Sequence, residues 1–155
     1  MLFLSADTFV IGNIAPLLAN VNGNFSLAAV ESWKSPSKQF DTNVLSLKPN
    51  VTEYRELLSL AEFGHSFVRY DENYLLNSRF KDNYEVLSFV YNADITSKLE
   101  NSTFWDSINS SLVVIHFSKL RPFKIDPDYL KGSSIIQQWL SEKKSSVNII
   151  LPVGR

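Results

Sequence analysis

Short apolar strands alternating with amphipathic helices assign this chain to the α/β class, with a mixed sheet flanked by helices. Three observations carry that assignment. Residues 112–117, Leu-Val-Val-Ile-His-Phe, form an unbroken run of the kind that fills a buried strand. Residues 51–63 place Tyr54, Leu57, Leu58 and Ala61 at helical period, between Pro49-Asn50 and the stop at Gly64. Between and around these two, strand-like and helix-like segments take turns along the chain.

In order, residues 1–4 (Met-Leu-Phe-Leu) read as a buried strand, and 8–11 as a second short one. Residues 13–18 read as a turn or two of helix with Pro16 in its first turn. Residues 20–24 are a turn cluster rich in Asn and Gly. A strand follows at 25–30, a polar loop over 31–39 containing Pro36, and a strand at 44–47. After the 51–63 helix, a second one is expected over 71–80, with Tyr74, Leu75 and Phe80 on its apolar side. Residues 86–90 read as a strand, 103–108 as a short helix and 112–117 as the strand already named. A late helix is expected over 134–143, with Ile136, Trp139 and Leu140 inward, and the ending 147–151 reads as a strand or an unstructured tail. The expected organisation is one domain over 1–145 and a tail over 146–155.

Composition narrows the function classes. Of 155 residues, 45% are hydrophobic and 20% charged, with a net charge of −1. That is a globular composition without the basic stripe that nucleic-acid binding requires. The chain has no cysteine, which removes disulfides, thiolate metal sites and thiol catalysis. Four Asn-x-Ser/Thr sequons (Asn24, Asn50, Asn101, Asn109) stand against about two expected by chance, which is weak support for secretion. No signal peptide or membrane-spanning run is read, and a cytoplasmic location is expected.

In α/β sheets ligands bind at the carboxyl ends of strands. That rule selects Ser5-Ala6-Asp7 and His116, each at the end of an apolar strand. Taken alone, Asp7 also suits a turn after a strand, His116 a satisfied core histidine, Asp71 a helix N-cap, and Arg121 a solvated surface. His65 reads as a loop histidine. Trp33, Trp105 and Trp139 are dispersed and read as packing.

Five segments, in order, resemble glycosyltransferase family 8, the glycogenin-like group. They are Leu2-Phe3-Leu4-Ser5-Ala6-Asp7-Thr8-Phe9-Val10 with Asn13-Ile14; Phe40-Asp41-Thr42-Asn43-Val44 with Lys48-Pro49; Tyr70-Asp71-Glu72-Asn73-Tyr74-Leu75-Leu76-Asn77; Tyr91-Asn92; and Val113-Val114-Ile115-His116-Phe117 with Arg121-Pro122-Phe123. They match the family's Asp-x-Asp strand, its Phe-Asn-Ser-Gly-Val block, its Asp-Gln-x-x-Leu-Asn helix start, its Tyr-Asn pair and its Val-Val-His-Phe strand. Together they cover roughly residues 1–125.

The resemblance implies a partial GT-A fold that corresponds to the C-terminal part of such enzymes and lacks the N-terminal nucleotide-binding half. It implies retaining transfer of a hexose from a UDP-sugar to a saccharide or protein acceptor, impaired in this chain. It also implies a manganese ion, weakly held or lost, because Ser5 stands at the first aspartate position beside Asp7 and His116. Asp71 matches the aspartate beside the donor sugar, and Arg121 a lysine on the diphosphate. Asp41, Thr42 and Asn43 occupy the sugar-binding block, with Asp41 replacing an asparagine and Asn43 a glycine. The competing expectation is a non-catalytic relic acting as a binding module or without function. A sheet flank left bare would favour association, including a homo-oligomer.

Overall fold

In the computed structural model the described residues are 1–19, 25–33, 35, 38–63, 71–81 and 83–118. They belong to the first of two compact units, Met1–Lys119 and Leu120–Arg155. The expected turn cluster at 20–24, the late helix at 134–143 and the ending at 147–151 lie outside the described residues, as do His65, Arg121 and Trp139.

Two small sheets organise the unit. One has the order β1-β4-β3-β5, built from Leu2–Leu4, Phe40–Leu47, Leu27–Glu31 and Glu85–Leu87. The other has the order β2-β7-β6, built from Thr8–Val10, Val114–His116 and Ala93–Asp94. The pairs β3–β5 and β6–β7 are parallel and the others antiparallel, so the architecture is mixed α/β. Among the described residues five α-helices accompany the strands: α1 (Ala15–Ala19), α2 (Val51–Phe63), α3 (Glu72–Phe80), α4 (Ile95–Glu100) and α5 (Ser102–Ile108).

β3 is the central strand, and its period-two alternation divides the core in two. Ala28 and Val30 join Leu17, Val44, Leu87 and Val114 on one face. Leu27 and Ala29 join Phe40, Leu45, Phe80 and Tyr84 on the other, with Leu57 of α2 and Leu76 of α3 packed against them. The first cluster bridges the two sheets through Val114. The second lies beneath the α2–α3 pair, which is tied by Arg79 to Glu53 (2.7 Å) and Glu56 (2.5 Å).

One polar contact is buried inside this packing. Ser46 Oγ donates to the Leu17 carbonyl at 2.5 Å, with Ser46 1% exposed. This bond moors α1 to β4. Ser46→Ala removes that buried donor, so it is expected to cost about 1–3 kcal/mol, read as a lowered midpoint in urea.

The helices begin where the sequence places them. Asn50 Oδ1 accepts from Thr52 N at 2.8 Å and opens α2. Asn101 accepts from Phe104 N at 3.0 Å and caps α5. Two of the sequon asparagines, Asn50 and Asn101, therefore serve as helix N-caps, a role that favours Asn, Ser and Thr.

Several expectations are corrected. Residues 1–4 were expected to be a buried strand of parallel-sheet type, but β1 pairs antiparallel with β4 and leaves Phe3 47% exposed. Among the described residues its ladder is with β4 alone, which puts β1 at a sheet edge. The strand expected over 86–90 stops at Leu87, and a 3-10 turn occupies Phe89–Tyr91. The strand expected at 44–47 starts earlier, at Phe40. No helix among the described residues is long and apolar enough to cross a membrane.

Candidate functional site

The site is assembled where the two sheets exchange chain. β1 ends at Leu4, and Ser5 N still bonds the Asn43 carbonyl at 2.8 Å. The chain then turns: Thr8 N and Thr8 Oγ1 both donate to the Ser5 carbonyl, at 3.2 and 2.7 Å. β2 leaves this turn antiparallel to β7, with Thr8 opposite His116. Phe117 N donates to the Asp7 carbonyl at 2.9 Å, which fixes Asp7 against the carboxyl end of β7.

β4 supplies the third side of the site through a large bulge. Ala29 faces Leu45 but Glu31 faces Phe40, so β4 carries three extra residues between those partners. Bulges re-aim side chains and are frequent beside functional sites. The bulged stretch contains Asp41, Thr42 and Asn43, the block singled out in the sequence. Asp41 Oδ1 accepts from Asn43 N at 2.9 Å and also from the Asn43 side-chain amide, so the bulge holds its own shape.

These elements bring Asp7, His116 and Asp41 together. His116 Nε2 is 3.7 Å from Asp7 Oδ2, and His116 Nδ1 is 3.7 Å from Asp41 Oδ2. The imidazole lies between two carboxylates, with its side chain 6% exposed against 18% for Asp7 and 21% for Asp41. Ser5 Oγ donates to the other Asp7 oxygen, Oδ1. Asp7 and His116 thus meet, as the strand-end rule predicts. Asp41, read from sequence as a sugar-side residue, faces the back of the imidazole.

The donor set can be weighed against a divalent cation. Metal bonds of about 2.0–2.2 Å place adjacent donor atoms roughly 3–3.4 Å apart. The 3.7 Å between Asp7 Oδ2 and His116 Nε2 is only slightly wider. A metal-binding imidazole usually donates its second N–H to a carboxylate; Asp41 Oδ2 is the carboxylate on that side, but at 3.7 Å it is beyond hydrogen-bond distance, and His116 Nδ1 is buried without a hydrogen-bond partner among the described residues. Carboxylate suits magnesium and manganese alike, and imidazole suits first-row transition metals, so the mixed pair favours a transition metal over magnesium. The residues therefore fit a cation held by two protein atoms, with a hydroxyl from Ser5 where a second carboxylate would add charge. Among the described residues no cluster of three or more His, Cys, Asp or Glu forms a fuller metal site.

Asp71 lies on a different element. It is the N-cap of α3, and its Oδ1 accepts from Tyr74 N at 2.8 Å. It lines an open cleft of about 530 Å³ together with Lys38, Gln39, Asn73, Tyr74, Asn77 and Lys81. Trp33 stacks on Phe104 with ring centroids 5.0 Å apart and donates to Glu100 at 3.2 Å, which agrees with a packing role.

Two groups of interest were not singled out as site residues in the sequence. Asn77 bonds both backbone groups of Phe40 across a sequence gap of 37 residues. Asp94 stands beside His116 in the parallel β6–β7 register and accepts from Thr96 N, Thr96 Oγ1 and Ser118 Oγ, each at 2.8 Å. The Asp-Ile-Thr spacing is a capping signal that could have revealed the second of these.

Known proteins bear on this geometry. No family model matches the chain. Over 93 residues, 60% of the chain, it is 36% identical to a glycogenin from Neurospora crassa, of which it spans 13%. Its fold is similar to the glycosyltransferase GlyE of Streptococcus pneumoniae in its apo form, with a TM-score of 0.65 and 24% identity over 92% of this chain and 42% of that one. It is also similar to the galactosyltransferase LgtC in complex with donor and acceptor sugar analogues, with a TM-score of 0.60 and 16% identity over 97% of this chain and 62% of that one. The chain thus spans less than two thirds of each of these relatives. The chain is thus similar in sequence to a glycogenin over part of its length, and it shares the fold of these two GT-A glycosyltransferases.

Proposed function

We propose that the chain carries the cation-binding and sugar-facing side of a retaining transferase, which moves a hexose from a UDP-sugar to a saccharide or protein acceptor. The convergence of Asp7 and His116 at neighbouring strand ends, 3.7 Å apart, carries this reading. Sugar transfer must stabilise a departing diphosphate, and a divalent metal, when bound, neutralises that developing charge. Asp7 and His116 would hold the ion. Asp41 would orient His116 from behind, and Ser5 would anchor Asp7 by its hydrogen bond. Asp71, with the polar cleft beside it, is assigned to the donor sugar, and Thr42 and Asn43 to the sugar-binding block. Arg121 is assigned to the diphosphate by sequence position alone.

Thermal melts test this. A ligand that binds the folded state at a hundred times its Kd adds about 2.7 kcal/mol of stability. Tm is expected to rise with millimolar MnCl2 and UDP-glucose, and the rise is expected to vanish in His116→Ala. Equal responses in both proteins, or none in either, would remove the donor site from this surface.

A second reading is favoured by one observation, Ser5. A hydroxyl bonded to Asp7 replaces a charged ligand, which suits a weak cation-dependent binding module without turnover. Release of UDP from UDP-glucose in the presence of manganese separates the two: the transferase reading requires it and the binding module does not.

A further inference from the structure

Antiparallel β4 loses one partner partway along. Opposite Leu45 and Val44 its free edge is covered by β1, but β1 ends at Leu4 and the ladder closes at Ser5 N and the Asn43 carbonyl. On the other side, the bulge reverses the direction in which Phe40 presents its backbone groups. Gln39, not Phe40, bonds β3 there, its carbonyl accepting from Ser32 N at 2.8 Å. The N–H and C=O of Phe40 therefore point away from β3, past the end of β1.

Asn77 of α3 fills that gap. Its Oδ1 accepts from Phe40 N at 2.9 Å and its Nδ2 donates to the Phe40 carbonyl at 2.9 Å. A carboxamide is the side chain that can reproduce the paired donor and acceptor of a neighbouring strand residue. Its second Nδ2 hydrogen is shared between Asn73 O and Asn73 Oδ1, at 2.9 and 2.8 Å, so the helix holds the amide in one orientation. Phe40 is wholly buried, which anchors the same backbone unit from its side chain. The next residue is Asp41, whose Oδ2 faces His116 Nδ1.

We propose that Asn77 is a positioning residue: by standing in for a missing strand at Phe40 it fixes the start of the β4 bulge and so aims Asp41 at His116. The role rests on the reading of Asp7, His116 and Asp41 as the functional cluster. It gives α3, which also carries Asp71 and one wall of the 530 Å³ cleft, a rigid connection to the proposed cation ligands.

The test uses the full chain and the ring resonances of His116. Only two histidines are present, so His65→Gln assigns them in a 1H–13C spectrum. Asn77→Leu is expected to shift the His116 ring signals without manganese, and to raise by about tenfold the Mn2+ concentration that half-broadens them. Asn77→Asp keeps the acceptor for Phe40 N–H and loses the donor, so an intermediate shift is expected; it decides the matter if the leucine variant does not fold. Leu57→Ala thins the same core cluster from α2 and serves as the control with lowered Tm and unmoved His116 signals. Unchanged His116 signals in the Asn77 variants, or equal changes in Leu57→Ala, overturn the proposal. If Mn2+ leaves His116 untouched in the unsubstituted protein, the cation reading fails, and the ring shifts alone then decide on Asn77.

Discussion

Ser5→Asp is expected to tighten Mn2+ binding at least tenfold and to make stability depend on the metal. Ser5 Oγ already hydrogen-bonds Asp7 Oδ1, so a carboxylate at position 5 sits within reach of any ion held by Asp7 and His116. It converts a hydroxyl into a charged oxygen ligand of the kind that manganese prefers. Even partners one layer removed from a metal shift affinity by about 10–100-fold, and a direct ligand is worth no less. Without metal the same change has the opposite sign. Two carboxylates then share one turn, with Asp41 on the far side of the imidazole, and like charges this close oppose each other. Tm is therefore expected to fall below that of the unsubstituted protein in EDTA and to rise above it in millimolar manganese. This crossing of the two curves is the diagnostic. A Tm change of the same sign in both conditions would mean that residue 5 does not face the ion site.

What the sequence discloses, and what it hides, follows from how local each feature is. The ends of α2 and the start of α3 are legible because capping residues and helical periodicity act within a few positions: Asn50 and Asp71 both accept from their own first turns. The meeting of Asp7 and His116 is legible because strand ends gather ligands in α/β sheets. The direction of Asp41 is not. It depends on three extra residues in β4 opposite β3, and no local signal marks a bulge whose partner residues, Glu31 and Ala29, lie on another strand. The exposure of β1 is hidden for the same reason, since an apolar triplet reads alike at the centre or the edge of a sheet. α4 escapes notice because Ile95, Thr96 and Ser97 have weak helix propensity. All three are buried, and the Asp94 cap with tertiary packing decides their conformation.

Trp105→Ala is expected to be the most destabilising single change among the described residues, at about 3–5 kcal/mol. A domain of this size has only about 5–15 kcal/mol to lose. Trp105 is 1% exposed and heads the largest wholly buried side chains. It sits on α5, which has seven residues, and helices this short do not persist without tertiary packing. The Asn101 cap and the buried indole must therefore hold the segment that leads into β7 and His116. The indole also carries a cost: among the described residues Trp105 Nε1 is buried without an acceptor. An unsatisfied buried donor is worth about 1–3 kcal/mol of penalty. Trp105→Phe removes that donor along with part of the ring volume, so the two effects offset each other. A cost under about 1.5 kcal/mol is expected, in the range of volume-tolerant core exchanges. Urea unfolding of the two variants side by side measures this. Equal losses for Phe and Ala would mean that the N–H has a partner and that the polar atom, not the packing, is what α5 depends on.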